Sequence, residues 1–190
     1  MTDIKTEVRR AVETLRKGGI ILYPTDTVWG LGCDATDSDA VARIYALKKS
    51  ADKKSMLVIV DSIDRAAVYT DRVPHVAWDL LEVADKPLTL ILPGAHGISQ
   101  ELIPDEGTIG VRVPEHEFCR QMCRLLGRPV VSTSANISGM PAPARFDEID
   151  PALKEGVDMV VDASLEAGAT GEASSIIAID ESGAFKIIRP

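Results

Sequence analysis

Cysteine is scarce in this chain. Of 190 residues only Cys33, Cys119 and Cys123 are cysteines, and no two form a CxxC pair. An odd set of three is no disulfide framework and fits a reducing compartment, so a cytoplasmic home is expected. Aromatics are few, at 4%, which disfavours a surface that works by stacking bases. Positive charge is in deficit: 21 basic against 29 acidic residues give a net charge of −8. Non-specific binding to nucleic acid or membrane across the whole surface is thereby disfavoured, though a local basic patch is not. No apolar run approaches the roughly 20 residues that span a bilayer. The opening stretch "MTDIKTEVRRAVETLRKGG" is charged and periodic and lacks the apolar core of a signal peptide. No membrane partner is expected. The phosphate-loop pattern GxxxxGK[ST] and the nucleophile pattern GxSxG are missing too. A nucleotide, if bound, is held outside the common glycine-rich motifs.

What is present reads as one α/β domain over residues 1–190, a length that fills a single well-packed core. Ile4, Val8, Val12 and Leu15 recur at helical spacing, with Gly18-Gly19 as a stop. Asp37 or Ser38 can cap a second helix whose apolar positions are Val41, Ile44, Tyr45 and Leu47. Further helices are expected over residues 62–68, 74–83 and 116–127. Strands are expected at residues 20–23, 56–60, 88–94, 108–114, 129–136, 159–162, 175–179 and 185–189. Residues 24–38, "PTDTVWGLGCDATDS", read as a loop, and "SGMPAPA" and "LEAGATGEA" as mobile loops. The irregular mixture predicts a twisted, mixed parallel and antiparallel sheet with helices on both faces.

Three constellations offer chemistry. Between Arg43 and Lys54, five cations (Arg43, Lys48, Lys49, Lys53, Lys54) face one acid, Asp52. Such a run is either the solvated end of a helix, complementing its dipole, or a phosphate site. "VVSTSANISG" places Ser132, Thr133, Ser134, Asn136 and Ser138 just past a strand. That is where ligands settle on α/β sheets, and hydroxyls and amides suit phosphate or carboxylate oxygens. "YPTDTVWGLG" sets Thr25, Asp26 and Thr27 after another strand, and "TIGVRVP" adds Thr108 and Arg112. A lone arginine among strand apolars suggests a carboxylate or phosphate clamp, because a buried charge needs a partner. His116, Cys119 and Cys123 share a helical face, but the spacing is not that of a zinc site, and buried cysteine packing explains them better. No metal ligands are assigned. Asp26, Asp34 and Asp37 could bind a cation near a triphosphate, although aspartate is common in turns.

In their order and spacing these stretches resemble the YrdC/TsaC family of threonylcarbamoyl-AMP synthases. "GGIILYPTDTVWGLGCDA" begins the likeness. It runs on through "LKKSADKKSMLVIV", "LTLILPG", "GTIGVRVPEH" and "VVSTSANISG" to "ASSIIAID" and "KIIRP", nearly the whole chain. The resemblance implies a single YrdC-like three-layer domain, short of the extra C-terminal domain of longer relatives. It also implies a reaction. L-threonine takes up bicarbonate as a carbamate, the carbamate attacks the α-phosphate of ATP, and pyrophosphate leaves. Mg²⁺ would accompany the ATP, with no permanently bound cofactor. A threonylcarbamoyl-transferase complex would then pass the group to tRNA, so tRNA itself is a secondary partner. Carried over by position, Lys48, Lys54 and Arg112 become the catalytic cations. Thr27, Arg112, Ser132 and Ser174 would hold threonine. Lys48, Ser50, Lys54, Thr108, Ser134, Asn136 and Arg189 would surround the nucleotide. Two positions depart from the family pattern: its Lys-x-Arg reads Lys48-Lys49-Ser50 here, and the polar residue after SGxP is Ala142. A lost arginine removes a bidentate fork that a lysine replaces only in charge. The alternative activity implied by YrdC-like relatives is non-enzymatic binding of double-stranded RNA or tRNA. A carbamoyl-transfer role, as in hydrogenase maturation, would need companion domains.

Overall fold

The computed structural model describes residues 3–50 and 56–190. Lys53 and Lys54, two of the five cations of the basic cluster, lie outside the described residues. Helix α1 (Ile4–Arg16) starts at Asp3, whose carboxylate accepts from Lys5 N and Thr6 Oγ1. This satisfies one of the orphan donors of the first turn. Val8, Ala11, Val12 and Leu15 form its buried stripe. It packs on α5 (Glu117–Leu126), which buries Phe118, Cys119, Met122, Cys123 and Leu126 and stops at Gly127 in the left-handed region, φ 74°. Helices α2 (Ser38–Leu47), α3 (Ile63–Ala66), α4 (Val76–Val83) and α6 (Pro151–Gly156) complete the set. Asp37 caps α2 as expected, accepting from Asp39 N and Ala40 N.

Among the described residues nine strands form the sheet: β1 (Ile21–Tyr23), β2 (Gly30–Gly32), β3 (Leu57–Ile59), β4 (Leu88–Pro93), β5 (Thr108–Arg112), β6 (Val130–Ser134), β7 (Met159–Val160), β8 (Ser175–Ile179) and β9 (Phe185–Arg189). Their order is β7-β1-β2-β6-β3-β5-β4-β8-β9. The β1–β7, β3–β5 and β4–β8 pairs are parallel and the others antiparallel, so the mixed sheet expected from the sequence is what forms. Strand β2 was not expected. Residues 24–38 read as a loop because two of the three β2 residues are glycine. The structure needs them: a Cβ at Gly32 would lie 2.6 Å from Val131 O and 2.8 Å from the Tyr23 ring. The six-residue α6 also escaped the periodicity, although Asp150 caps it through Ala152 N and Pro151 opens it.

Period-two alternation divides the core into two layers. Ile21, Tyr23, Ile59 and Val130 pack with α1 and α5. Leu22, Val58, Val60, Leu90, Leu92, Val111 and Val131 pack on the opposite side with residues of α2, α4 and α6. The two helical covers differ in extent. The α1/α5 layer reaches β1, β3, β6 and β7, but no residue of β4, β5 or β8 belongs to its core cluster. On that face the outer strands are left open, and there the site forms.

Helix α2 ends in a Schellman motif without glycine. Ser50 N donates to Tyr45 O and Lys49 N to Ala46 O, both at 3.0 Å, while Lys49 takes the left-handed position at φ 52°. A side chain there is strained by about 1 kcal/mol or more. Lys49→Gly is therefore expected to raise unfolding stability by about 0.5–1 kcal/mol after the entropy of the glycine is counted. Urea unfolding at equal m-value measures this.

Candidate functional site

Register decides which strand residues share the open face. Ile59 pairs with both Val130 and Arg112, Arg112 with Thr89, Thr89 with Ile176, and Ile176 with Arg189. The next row runs Ser132, Leu57, Gly110, Ile91. Laterally paired residues point to one side, so Arg112, Thr89, Ser132 and Gly110 face the same space. Gly110 deepens the floor, since a Cβ there would come within 3.1 Å of Leu57 Cβ. The result is a trough of about 590 Å³, within the range of small-ligand sites.

The chemistry of its lining is one-sided. Lys48, Arg112 and Arg189 line it, with hydroxyls of Thr25, Thr27, Thr89, Thr108, Ser132, Ser134 and Ser174. Among the described lining residues there is no carboxylate. In a chain of net charge −8 that is a local concentration of positive charge, which favours anions.

Arg112 is the centre of one end. It is 4% exposed. Its Nη1 donates to Thr27 Oγ1 at 2.7 Å, and Nη2 lies 3.3 Å from Asp26 Oδ1. That oxygen makes an ion pair without a well-directed hydrogen bond, and Arg112 Nε is buried with no partner among the described residues. Thr27 is held in turn: its hydroxyl is 2.8 Å from that of Thr25, which caps Val28 O. Asp26 Oδ2 accepts from Glu115 N. A buried guanidinium with an unspent donor, locked by a threonine and an aspartate, is organised to receive an acceptor that the protein does not supply. Beside it, Thr89 Oγ1 and Ser174 Oγ share a hydrogen bond at 2.7 Å, and Arg189 donates twice to Ser174 O.

Lys48 anchors the other end. Its ammonium donates to Ser134 O and to Asn136 O, the latter at 2.7 Å, and Ser138 N returns a bond to Lys48 O. Two of three N–H groups are thus used in fastening the residue 134–138 loop to α2, leaving one for a ligand. Burial lowers its pKa to about 8. Ser134 Oγ donates to Asn136 Oδ1, and Asn136 Nδ2 donates to Met140 O at 2.6 Å, so this side chain shapes the loop as well as lining the trough. Ser50 lies one step behind the rim, 3.5 Å from the hydroxyl of Ser138.

The expected residues Thr27, Lys48, Thr108, Arg112, Ser132, Ser134, Asn136, Ser174 and Arg189 all line the trough. Lys54 lies outside the described residues. Trp29, Thr89 and the two glycines Gly30 and Gly110 were not singled out. Thr89 had a signal, as the lone polar residue inside an apolar strand. The three aspartates do not gather: Asp26 serves Arg112, Asp34 pairs with Arg128 and Asp37 caps α2. Among the described residues no group of three or more His, Cys, Asp or Glu could hold a metal. The cysteines are buried, and burial pushes all three thiols up, which makes them packing residues. No described helix is long and apolar enough to cross a membrane.

Comparison with known proteins shows the family and the fold. The Sua5/YciO/YrdC family model, described as "Telomere recombination", matches residues 13–190. The chain is 36% identical over 179 residues to the threonylcarbamoyl-AMP synthase of Xanthomonas euvesicatoria pv. vesicatoria, covering 93% of this chain and 94% of that protein. Among solved structures, P. abyssi Sua5 complexed with L-threonine aligns at TM-score 0.86 and 28% identity over 100% of this chain, which spans only 55% of that longer one. E. coli YciO aligns at TM-score 0.80 and 26% identity, with 100% of this chain and 90% of the other covered. This chain belongs to the Sua5/YciO/YrdC family.

Proposed function

We propose that the protein is an L-threonylcarbamoyladenylate synthase, joining L-threonine, bicarbonate and ATP into threonylcarbamoyl-AMP and pyrophosphate. The observation that carries this is the trough itself: three cations, a ring of hydroxyls and no described carboxylate. The curated relatives named as threonylcarbamoyl-AMP synthases support an enzyme over an RNA-binding protein. The P. abyssi structure supports threonine as the amino acid.

The bookkeeping is simple. The free amine of threonine bonds to the carbon of bicarbonate, water leaves, and a carbamate results. A carbamate oxygen bonds to the α-phosphorus as the bond to the β-phosphoryl oxygen breaks and pyrophosphate departs. No protein nucleophile is needed. The protein must place two anionic reactants together and stabilise the charge on the phosphoryl group and leaving group. Arg112, fixed by Thr27 and Asp26, takes the threonine carboxylate, with Ser132 and Ser174 beside it. Lys48 and Arg189, with Thr108, Ser134 and Asn136, take the nucleotide. Mg²⁺ fits as a companion of ATP held by its phosphates, because the described lining offers hydroxyls and cations but no carboxylates. A threonylcarbamoyl-transferase complex modifying tRNA would consume the product.

With ATP, bicarbonate and Mg²⁺ present, pyrophosphate release should depend on added threonine. Release at one rate with and without threonine would remove the proposal. Position 50 adds a second expectation. A guanidinium reaching the rim from position 50 adds charged hydrogen bonds worth about 1.5–3 kcal/mol each, so Ser50→Arg should raise kcat/KM for ATP by about tenfold or more. An unchanged value would show that Lys48 and Arg189 already supply the charge.

A further inference from the structure

Residues 165–173 read in the sequence as a mobile loop, yet the structure tethers the segment 166–174 along its length. Thr170 N donates to Asp26 O at 3.0 Å and Gly171 N to Thr27 O at 2.8 Å. Both acceptors belong to the residues that fix Arg112. At the far end the hydroxyl of Ser174 bonds to Thr89 and its carbonyl accepts from Arg189. At the near end one carboxylate oxygen of Glu166 accepts from the indole Nε1 of Trp29 at 2.5 Å and from Phe146 N at 2.7 Å. Trp29 is 1% exposed and lines the trough. Its ring packs 4.9 Å from that of Phe146, and its carbonyl accepts from Ala135 N in the nucleotide loop. Residues 25–29 are therefore a hub, bonded to Arg112, to the 134–136 loop and to the strap. Gly168 and Gly171 in the strap hold φ of 91° and 74°, a backbone that can swing without side-chain penalty.

We propose that Glu166 is a positioning residue: its carboxylate latches the 166–174 strap to Trp29 and so holds the Thr27–Arg112 clamp in its threonine-binding geometry. The clause about threonine rests on the function proposed above; the latch itself does not. A charged acceptor holding two donors is a strong tie, and the strap carries no other side-chain bond to the hub among the described residues.

Two readouts test it. In a Trp78→Phe background only Trp29 fluoresces, since the chain has two tryptophans. Glu166→Ala should increase acrylamide quenching of Trp29 with no substrate present, and Glu166→Gln, whose amide oxygen still accepts, should not. In turnover, Glu166→Ala should raise KM for threonine by about tenfold, the worth of the charged hydrogen bond to Trp29, while kcat and KM for ATP stay within about threefold. Trp29→Phe, which keeps an aromatic ring and deletes the donor, should raise KM for threonine likewise and still be measurable if Glu166→Ala folds poorly. The double variant should be no worse than Glu166→Ala, which already lacks the bond that Trp29→Phe removes. Unchanged Trp29 quenching in Glu166→Ala, together with unchanged KM for threonine in both single variants, overturns the latch. So does a parallel loss in kcat and both KM values that Glu166→Gln fails to rescue, which marks a merely structural residue. If wild-type protein shows no threonine-dependent turnover, the function is refuted, and the quenching comparison still decides the latch by itself.

Discussion

Arg112→Lys should lower kcat/KM for threonine by about a hundredfold while leaving the KM for ATP within a few fold. The charge survives but the fork does not. In the wild type Nη1 is spent on Thr27 and Nη2 on Asp26, and Nε is buried without a partner among the described residues. A lysine reaching the same place cannot serve Thr27, Asp26 and a carboxylate with one planar array. Losing one or two charge-assisted hydrogen bonds of about 1.5–3 kcal/mol each gives the expected range. Steady-state kinetics with threonine and ATP varied separately make the measurement. Equal losses for both substrates would place Arg112 outside the amino-acid subsite.

Lys48→Met should cost about a hundredfold or more in kcat, the loss seen when one preorganised donor to a developing charge is removed. Its effect on stability should be much smaller, because two losses and one gain oppose each other. The carbonyls of Ser134 and Asn136 lose their donor, but a buried ammonium is no longer desolvated. The same group predicts a pH dependence. Burial lowers Lys48 from 10.5 to about 8, so in the free enzyme the cation is present below that pH and lost above it. For wild type, kcat/KM for ATP should therefore fall as pH rises through about 8. In kcat the limb should move to higher pH, since bound phosphates favour the charged form. Stability runs the other way. The cost of the buried charge is complete below about pH 8 and is relieved as pH climbs toward 10.5. Wild type should thus gain on Lys48→Met in that window.

Much of this architecture is legible in the chain, for identifiable reasons. Helices α1, α2 and α5 carry unbroken apolar stripes with a capping aspartate or a closing glycine. Strands β3 to β6 alternate or run apolar between turn residues. Strand β2 is silent because Gly30 and Gly32 are selected by what lies over them, the Tyr23 ring and the backbone of β6, and a tertiary clearance leaves no local pattern. The clamp is legible in part. A lone arginine in "TIGVRVP" and the threonines of "YPTDT" announce a polar site, but their 2.7 Å contact spans 85 residues of sequence. Thr89 becomes a neighbour of Arg112 only through the β4–β5 register. Lys48 shows the reverse: the sequence suggests a phosphate contact, and only the fold reveals that the same ammonium also fastens the nucleotide loop. Glu166 has no local signal, because its two partners are Trp29 and a backbone N–H at Phe146, both distant in sequence.

In the proposed reaction one trough joins bicarbonate carbon, threonine nitrogen and the α-phosphorus of ATP. Incubating the protein with ¹³C-bicarbonate, L-threonine, ATP and Mg²⁺, and resolving the nucleotides by mass spectrometry, tests it directly. The account predicts an adenylate that carries both the label and the threonyl mass, formed together with pyrophosphate and lost when threonine is omitted. Pyrophosphate or AMP formed without any labelled adenylate would contradict it.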